Sequence, residues 1–100
     1  MAKRKPIHPG EILREEFMIP FGLNPNKLAI ALRVAAPNIY EIVRETRGLS
    51  AEMALRLGRF FGTTPEFWMN LQAHYDLSVS RQEAEKRIKR DVRPLTEITA

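Results

Sequence analysis

A chain of 100 residues holds one hydrophobic core and not two, which sets multi-domain readings aside. With no cysteine it has neither a disulfide framework nor a thiolate zinc site, so the fold rests on packing alone, in keeping with a reducing compartment. The net charge of +4 and the pI near 9.9 suit an anionic partner as well as they suit a plain basic surface. The start Met1-Ala2-Lys3-Arg4-Lys5 is basic like the head of a signal peptide, but no apolar stretch follows it. No run approaches the roughly 20 apolar residues of a membrane span. The expectation is a cytoplasmic chain, neither exported by that route nor embedded. Its positive charge is patchy, gathering at residues 3–5, at Lys27, Arg33, Arg44 and Arg47, and at residues 81–93, whereas the stretch 10–21 sets Glu11, Glu15 and Glu16 against Arg14.

Pro and Gly punctuate the sequence, and between them apolar residues recur at the three- and four-residue spacing of helices. A first helix is expected from Gly10 to Ile19, burying Leu13 and Phe17 and ended by Pro20 and Gly22. Asn24 is a good N-cap with Pro25 at the first helical position, opening a second helix through Arg33. Pro37 starts a third, to about Glu45, before a loop around Arg47-Gly48. Ser50 caps a fourth, Ala51 to Phe61, with Met53, Ala54, Leu57, Phe60 and Phe61 as a broad apolar face and Gly62 after its end.

Thr64-Pro65 repeats the cap-then-proline start for a fifth helix with Phe67, Trp68, Leu71 and Tyr75 on one side, a stripe that reads as core packing. Ser80-Arg81-Gln82-Glu83 has the spacing of a capping box and predicts a sixth helix or a restart, to about Arg90. Its apolar positions, Ala84, Ile88 and Val92, form a stripe too narrow for independent stability. That segment docks on the domain, pairs with a second copy, or orders only with a partner. Pro94 ends it, with loose residues beyond. The domain is thus expected over 8–79, with a charged helical extension and tail over 80–100.

Residues 25–43 carry the strongest functional signal. A helix-turn-helix needs apolar residues where its two helices face each other and the core, here Leu28, Leu32, Val34, Ile39 and Ile42, and a small residue at the crossing, here Ala29. The competing reading is a structural helical hairpin that never meets DNA. The turn position, which tends to positive φ, carries Arg33, at a cost on the order of 1 kcal/mol relative to Gly. In the DNA reading the second helix enters the major groove, and counting outward from Ile39 and Ile42 exposes Pro37, Asn38, Tyr40, Glu41 and Arg44 to base edges. Asn38 suits bidentate pairing with adenine, Arg44 suits guanine or a phosphate, and Tyr40 a thymine methyl or a phosphate. Glu41 either reads a cytosine amino group or positions Arg44. Asn26 and Lys27, opening the preceding helix, and Arg47 in the following loop are candidates for phosphate contacts.

Catalysis has little support. His8 and His74 are isolated, and HExxH, phosphate-loop and nucleophile-elbow patterns are absent. No catalytic residue, metal site or cofactor is expected, and the chain does not read as an enzyme.

The run His8-Pro9-Gly10-Glu11-Ile12-Leu13-Arg14-Glu15-Glu16-Phe17, the helix-turn-helix, Arg47-Gly48-Leu49-Ser50-Ala51, and residues 54–72 including Phe61-Gly62-Thr63-Thr64-Pro65-Glu66-Phe67-Trp68-Met69-Asn70-Leu71-Gln72 together resemble the HigA/VapI antitoxins of the XRE, lambda-repressor-like class. The likeness spans 8 to about 79. It departs at Arg33 and Glu45, where family members often have Gly, and at Pro25, where many carry a phosphate-contacting Gln. The resemblance implies an all-α, five-helix lambda-repressor-like domain. It also implies a homodimeric type II antitoxin in the cytoplasm, at the nucleoid, that binds a palindromic double-stranded operator, represses its own operon and sequesters a HigB, RelE-like mRNA-cleaving toxin. The acidic first helix, Glu11, Glu15 and Glu16, is a candidate surface for a basic toxin, although a plain solvated face is the favoured reading of it. A solo regulator without a toxin is the leading alternative, and a helical interaction module that binds no DNA is a distant third.

Overall fold

In the computed structural model, which describes residues 5–98, the chain enters its first helix through a histidine. His8 accepts the Gly10 backbone N–H on Nδ1 at 2.8 Å and so caps α1 (Pro9–Ile12), with Pro9 at the first helical position. The expected single helix to Ile19 changes pitch on the way. It widens to a π-helix over Leu13–Met18 and tightens to a 3-10 turn over Ile19–Phe21. Pro20 supplies the reason, because it has no N–H to give to the Glu16 carbonyl and its ring would press on it in a regular α-helix. Gly22, at φ 65°, closes the segment in the left-handed conformation.

The next starts follow from local capping. Asn24 Oδ1 accepts the Lys27 N–H at 2.8 Å and opens α2 (Pro25–Leu32). Ser50 Oγ caps α4 (Ala51–Phe61) at Met53, and Thr64 Oγ1 caps α5 (Pro65–Asp91) at Phe67, each at 3.1 Å. Between α2 and α4 lies α3 (Ala36–Val43). It stops short of the expected Glu45, because Glu45 takes a left-handed φ of 66° that no helix continues through. Among the described residues every regular element is helical. The basic positions Lys3 and Arg4 lie outside them, as do Thr99 and Ala100.

The core gathers Leu13, Met18, Leu28, Ile39, Ile42, Leu49, Ala54, Leu57 and Trp68 from all five principal segments. Phe17, expected to be buried, is partly so and lies between the rings of Trp68 and Phe61, with centroids 4.9 and 5.1 Å away. Phe60 and Phe67 remain at the edge, 43% and 38% exposed.

The restart expected at Ser80 does not occur. α5 runs unbroken for 27 residues, with Ser80 exposed in mid-helix. The stretch Leu77-Ser78-Val79-Ser80 has start-type residues but no Gly or Pro to end the preceding turn. Pairs at i,i+4 spacing, Arg81 with Glu85 and Glu85 with Lys89, support continuation. α5 therefore projects from the core, and the molecule measures 58 × 28 × 20 Å with a radius of gyration of 17.4 Å, against about 13 Å for a compact chain of this length. After Pro94 the chain makes one exposed turn, α6 (Leu95–Ile98), where loose residues were expected.

One close approach fixes α1 against α3. A Cβ built on Gly10 would run into the Ile42 carbonyl, a backbone group that cannot rotate away. Gly10→Ala should therefore destabilise the fold by at least about 1–3 kcal/mol. Chemical denaturation checks this, and an unchanged midpoint would contradict the contact.

Candidate nucleic-acid interface

The turn between α2 and α3 is built on a strained residue. Arg33 takes φ 60° and ψ 43°, the conformation anticipated for the turn position, and its N–H bonds back to Ala29 and Ile30 carbonyls. Ala29 is buried at the crossing, with Leu28, Leu32, Ile39 and Ile42 buried around it and Val34 partly so. All six positions assigned to the helix-turn-helix thus meet. Arg56 from α4 donates to the Leu32 carbonyl at 2.7 Å, tying down the end of α2.

Two further side chains hold α3 and its following loop from behind, and a third joins α1 to α5. Arg14 Nη1 donates to the Val43 carbonyl at 2.6 Å and approaches Glu45 at 3.7 Å, placing a cation at the negative end of α3. Gln72 Oε1 on α5 accepts the Leu49 N–H at 2.7 Å, and Gly48 lies against that same amide. His8, buried at the start of α1, meets Tyr75 of α5 edge to face at 4.7 Å. None of these contacts was expected. Arg14 read only as a charge among glutamates, and His8 as isolated.

The outward side of α3 carries the expected residues. Pro37 is exposed in the first turn, and Asn38, Tyr40 and Glu41 are half-buried along the outer row. Arg44, just past the helix, is exposed and lays its guanidinium 5.6 Å from the centroid of the Tyr40 ring. Glu41 does not position Arg44. Its carboxylate pairs with Arg47 at 3.2 Å, because the loop returns Arg47 across the outer row of α3. Arg47 also donates to Asn38 Oδ1 at 2.6 Å. Asn26 and Lys27 are exposed at the opening of α2. The acidic first helix is already partly spoken for, since Glu15 pairs with Arg14 at 2.9 Å. No group of three or more His, Asp or Glu suited to a metal occurs among the described residues, and none of their helices is long and apolar enough to cross a membrane.

No protein-family model matches the chain, but individual proteins do. Virulence-associated protein I of Dichelobacter nodosus is 53% identical over 77 residues, covering 77% of this chain and 71% of that protein. Antitoxin HigA-1 of Vibrio cholerae is 36% identical over 94 residues, covering 94% and 88%. The Pseudomonas aeruginosa antitoxin HigA, solved with the higBA promoter, superposes with a TM-score of 0.88 at 53% identity, over 90% of this chain and 98% of that one. The chain belongs to the HigA/VapI antitoxin family. Its fold is the all-α, lambda-repressor-like helix-turn-helix of that family, with a C-terminal helical extension. Other relatives are named as uncharacterized HTH-type transcriptional regulators, and this HigA-family chain is not an enzyme.

Burial also bears on the ionisation of the histidine that caps α1. Burial lowers the His8 pKa below its ordinary value, with Glu45 and Asp76 partly opposing the shift. Only the neutral ring keeps Nδ1 free to accept from Gly10. A folded pKa below the unfolded value makes the contribution of His8 fully present above about pH 6.5, and lost as pH falls toward the folded pKa. His8→Asn keeps a capping oxygen and does not titrate. The stability difference between wild type and His8→Asn should therefore shift against the wild type between about pH 7 and 5. A pH-independent difference in denaturation midpoints would contradict this.

Proposed function

We propose that this chain is the sequence-specific DNA-binding antitoxin of a HigBA-like type II system. In this reading it represses its own operon as a homodimer on a palindromic double-stranded operator and neutralises a RelE-like mRNA-cleaving toxin in the cytoplasm, at the nucleoid. The observation that carries the DNA reading is the solved P. aeruginosa relative on promoter DNA, at 53% identity and a TM-score of 0.88. The outward-facing, partly exposed row of α3 supports it. In this reading residues 8–79 form the DNA-binding domain and 80–100 the charged helical extension and tail. Pro37, Asn38, Tyr40, Glu41 and Arg44 face the bases, while Asn26, Lys27 and Arg47 serve phosphates. Relatives named only as transcriptional regulators favour one second reading, a solo regulator without a toxin. A small basic reading frame beside the gene, co-purifying with this chain, separates the two.

A short recognition helix needs two half-sites, about 34 Å apart, to be specific. The outer turns of α5 and the residue just past its end offer a dimer seam in Ala84, Ile88 and Val92, the last two 48% and 63% exposed. Light scattering should give the mass of a dimer at tens of micromolar. A monomer that stays monomeric on operator DNA would contradict this assembly.

Reading and anchoring are separable by mutation. Asn38→Ala or Arg44→Ala should cost ~1–3 kcal/mol on the preferred duplex and relax one base position. Lys27→Ala should weaken all duplexes alike and lower the salt slope by about one unit. All three side chains lie outward, so thermal melts should be unchanged. Leu32→Ala, at the helix crossing, should abolish binding by costing ~2–5 kcal/mol of stability. The measurement is a salt-titrated binding series on preferred and scrambled duplexes. Unaltered affinity and specificity in both α3 variants would mean that another face meets DNA.

A further inference from the structure

The outer row of α3 is not presented bare. Arg47 crosses it from the following loop, donating through Nη1 to Asn38 Oδ1 at 2.6 Å and placing Nη2 at 3.2 Å from Glu41 Oε2. A guanidinium carries donors only, so the Asn38 amide must turn its oxygen toward Arg47 and its nitrogen away. Glu41 stands three residues after Asn38 on the same outward row, so the guanidinium that reaches both lies along that row. That bond takes one of the two lone pairs of the amide oxygen, and the cation beside it disfavours a second donor there. What Asn38 leaves wholly open is its Nδ2 donor pair.

The distinction decides which base it can read. Bidentate pairing with adenine needs an oxygen and a nitrogen side by side, to match the adenine N6 donor and N7 acceptor. Guanine presents two acceptors in the major groove, N7 and O6, and thymine presents O4. An amide whose oxygen already accepts from a guanidinium matches the second kind of edge better.

We infer that Arg47 is a specificity-determining residue, holding the Asn38 amide nitrogen outward so that α3 reads an acceptor-only base edge, guanine before thymine, where Asn38 meets the groove. This replaces the adenine pairing suggested by residue type alone, and gives Arg47 a role beyond a phosphate contact. It rests on the reading that α3 is the groove-entering helix.

The test starts from duplexes selected by the full chain from a randomised pool, with fluorescence anisotropy on each single base-pair replacement. The position whose preference relaxes in Asn38→Ala is the one Asn38 meets. The wild type should prefer guanine there, or thymine. Where it is guanine, adenine or 7-deazaguanine in its place should cost about tenfold in affinity. Arg47→Ala should narrow or reverse the discrimination against adenine at that position while leaving preferences elsewhere unchanged. In the free protein, the same variant should shift the Asn38 side-chain amide resonances, and thermal melts should hold because Arg47 is exposed. Adenine preferred there by the wild type would overturn the inference. So would unmoved amide resonances, or an Arg47→Ala variant that weakens every duplex equally without changing base preference, which would make Arg47 a phosphate contact alone. If neither Asn38→Ala nor Arg44→Ala relaxes any position, the groove reading of α3 itself falls and takes the inference with it.

Discussion

Trp68 has none of its surface exposed, and burying a side chain of that size requires its one donor to be satisfied inside the core. Thr63 Oγ1 takes that donor at 2.7 Å, from the turn that joins α4 to α5. The turn is held close by Gly58, whose missing Cβ leaves room for the Thr63 carbonyl. Phe17 and Phe67 close on the indole with ring centroids 4.9 and 5.0 Å away, so the end of the first helical segment and the start of α5 are set by one residue. Four positions further along α5, Gln72 reaches the Leu49 N–H. The loop that delivers Arg47 to α3 is therefore anchored to the same helix that Trp68 fixes in the core.

The two sides of α3 obey different physics. Behind it, Ile39 and Ile42 are buried, Gly10 touches the Ile42 carbonyl, and Arg14 satisfies the last-turn carbonyl of Val43. These contacts come from residues 29 to 32 positions away in sequence, and they resist rotation of the helix. In front, the side chains of α3 meet Arg44 and Arg47 from the segment that follows it, in solvent-facing contacts that stabilise little in water. Rigid backing and weakly held front groups suit a surface that must exchange its partners for those of a ligand without losing its shape.

How much of this was legible in the sequence follows from the range of the interactions. Caps act within three residues, so Asn24, Ser50 and Thr64 announced α2, α4 and α5. The apolar spacing located the helix-turn-helix down to Arg33, whose left-handed φ is a property of the turn itself. Contacts between distant segments left no local mark. Arg14 bonds Val43, Gln72 bonds Leu49, and Arg47 bends back to Asn38 and Glu41, so their roles depended on a fold that spacing alone does not supply. The π-helical stretch is a compromise with Pro20, two to seven residues downstream, and the continuity through Ser80 reflects a stop signal that was missing rather than a start signal that was present. In the candidate site, residue types indicated which side chains face outward but not how they are oriented.

The unbroken course of α5 makes it a lever arm. From Gln72, where it is pinned to the recognition loop, to Asp91 it spans about 28 Å at 1.5 Å per residue. A helix of this length is stiff. A tilt of 10° about the pinned end carries the outer turns through about 5 Å, close to one helical pitch. Any molecule gripping Ile88 and Val92 thus constrains the angle at which α5 leaves the core, and through Gln72 and Leu49 it constrains the loop carrying Arg47. The far tip and the loop beside α3 thus share one continuous helix, although about 28 Å of it lies between them.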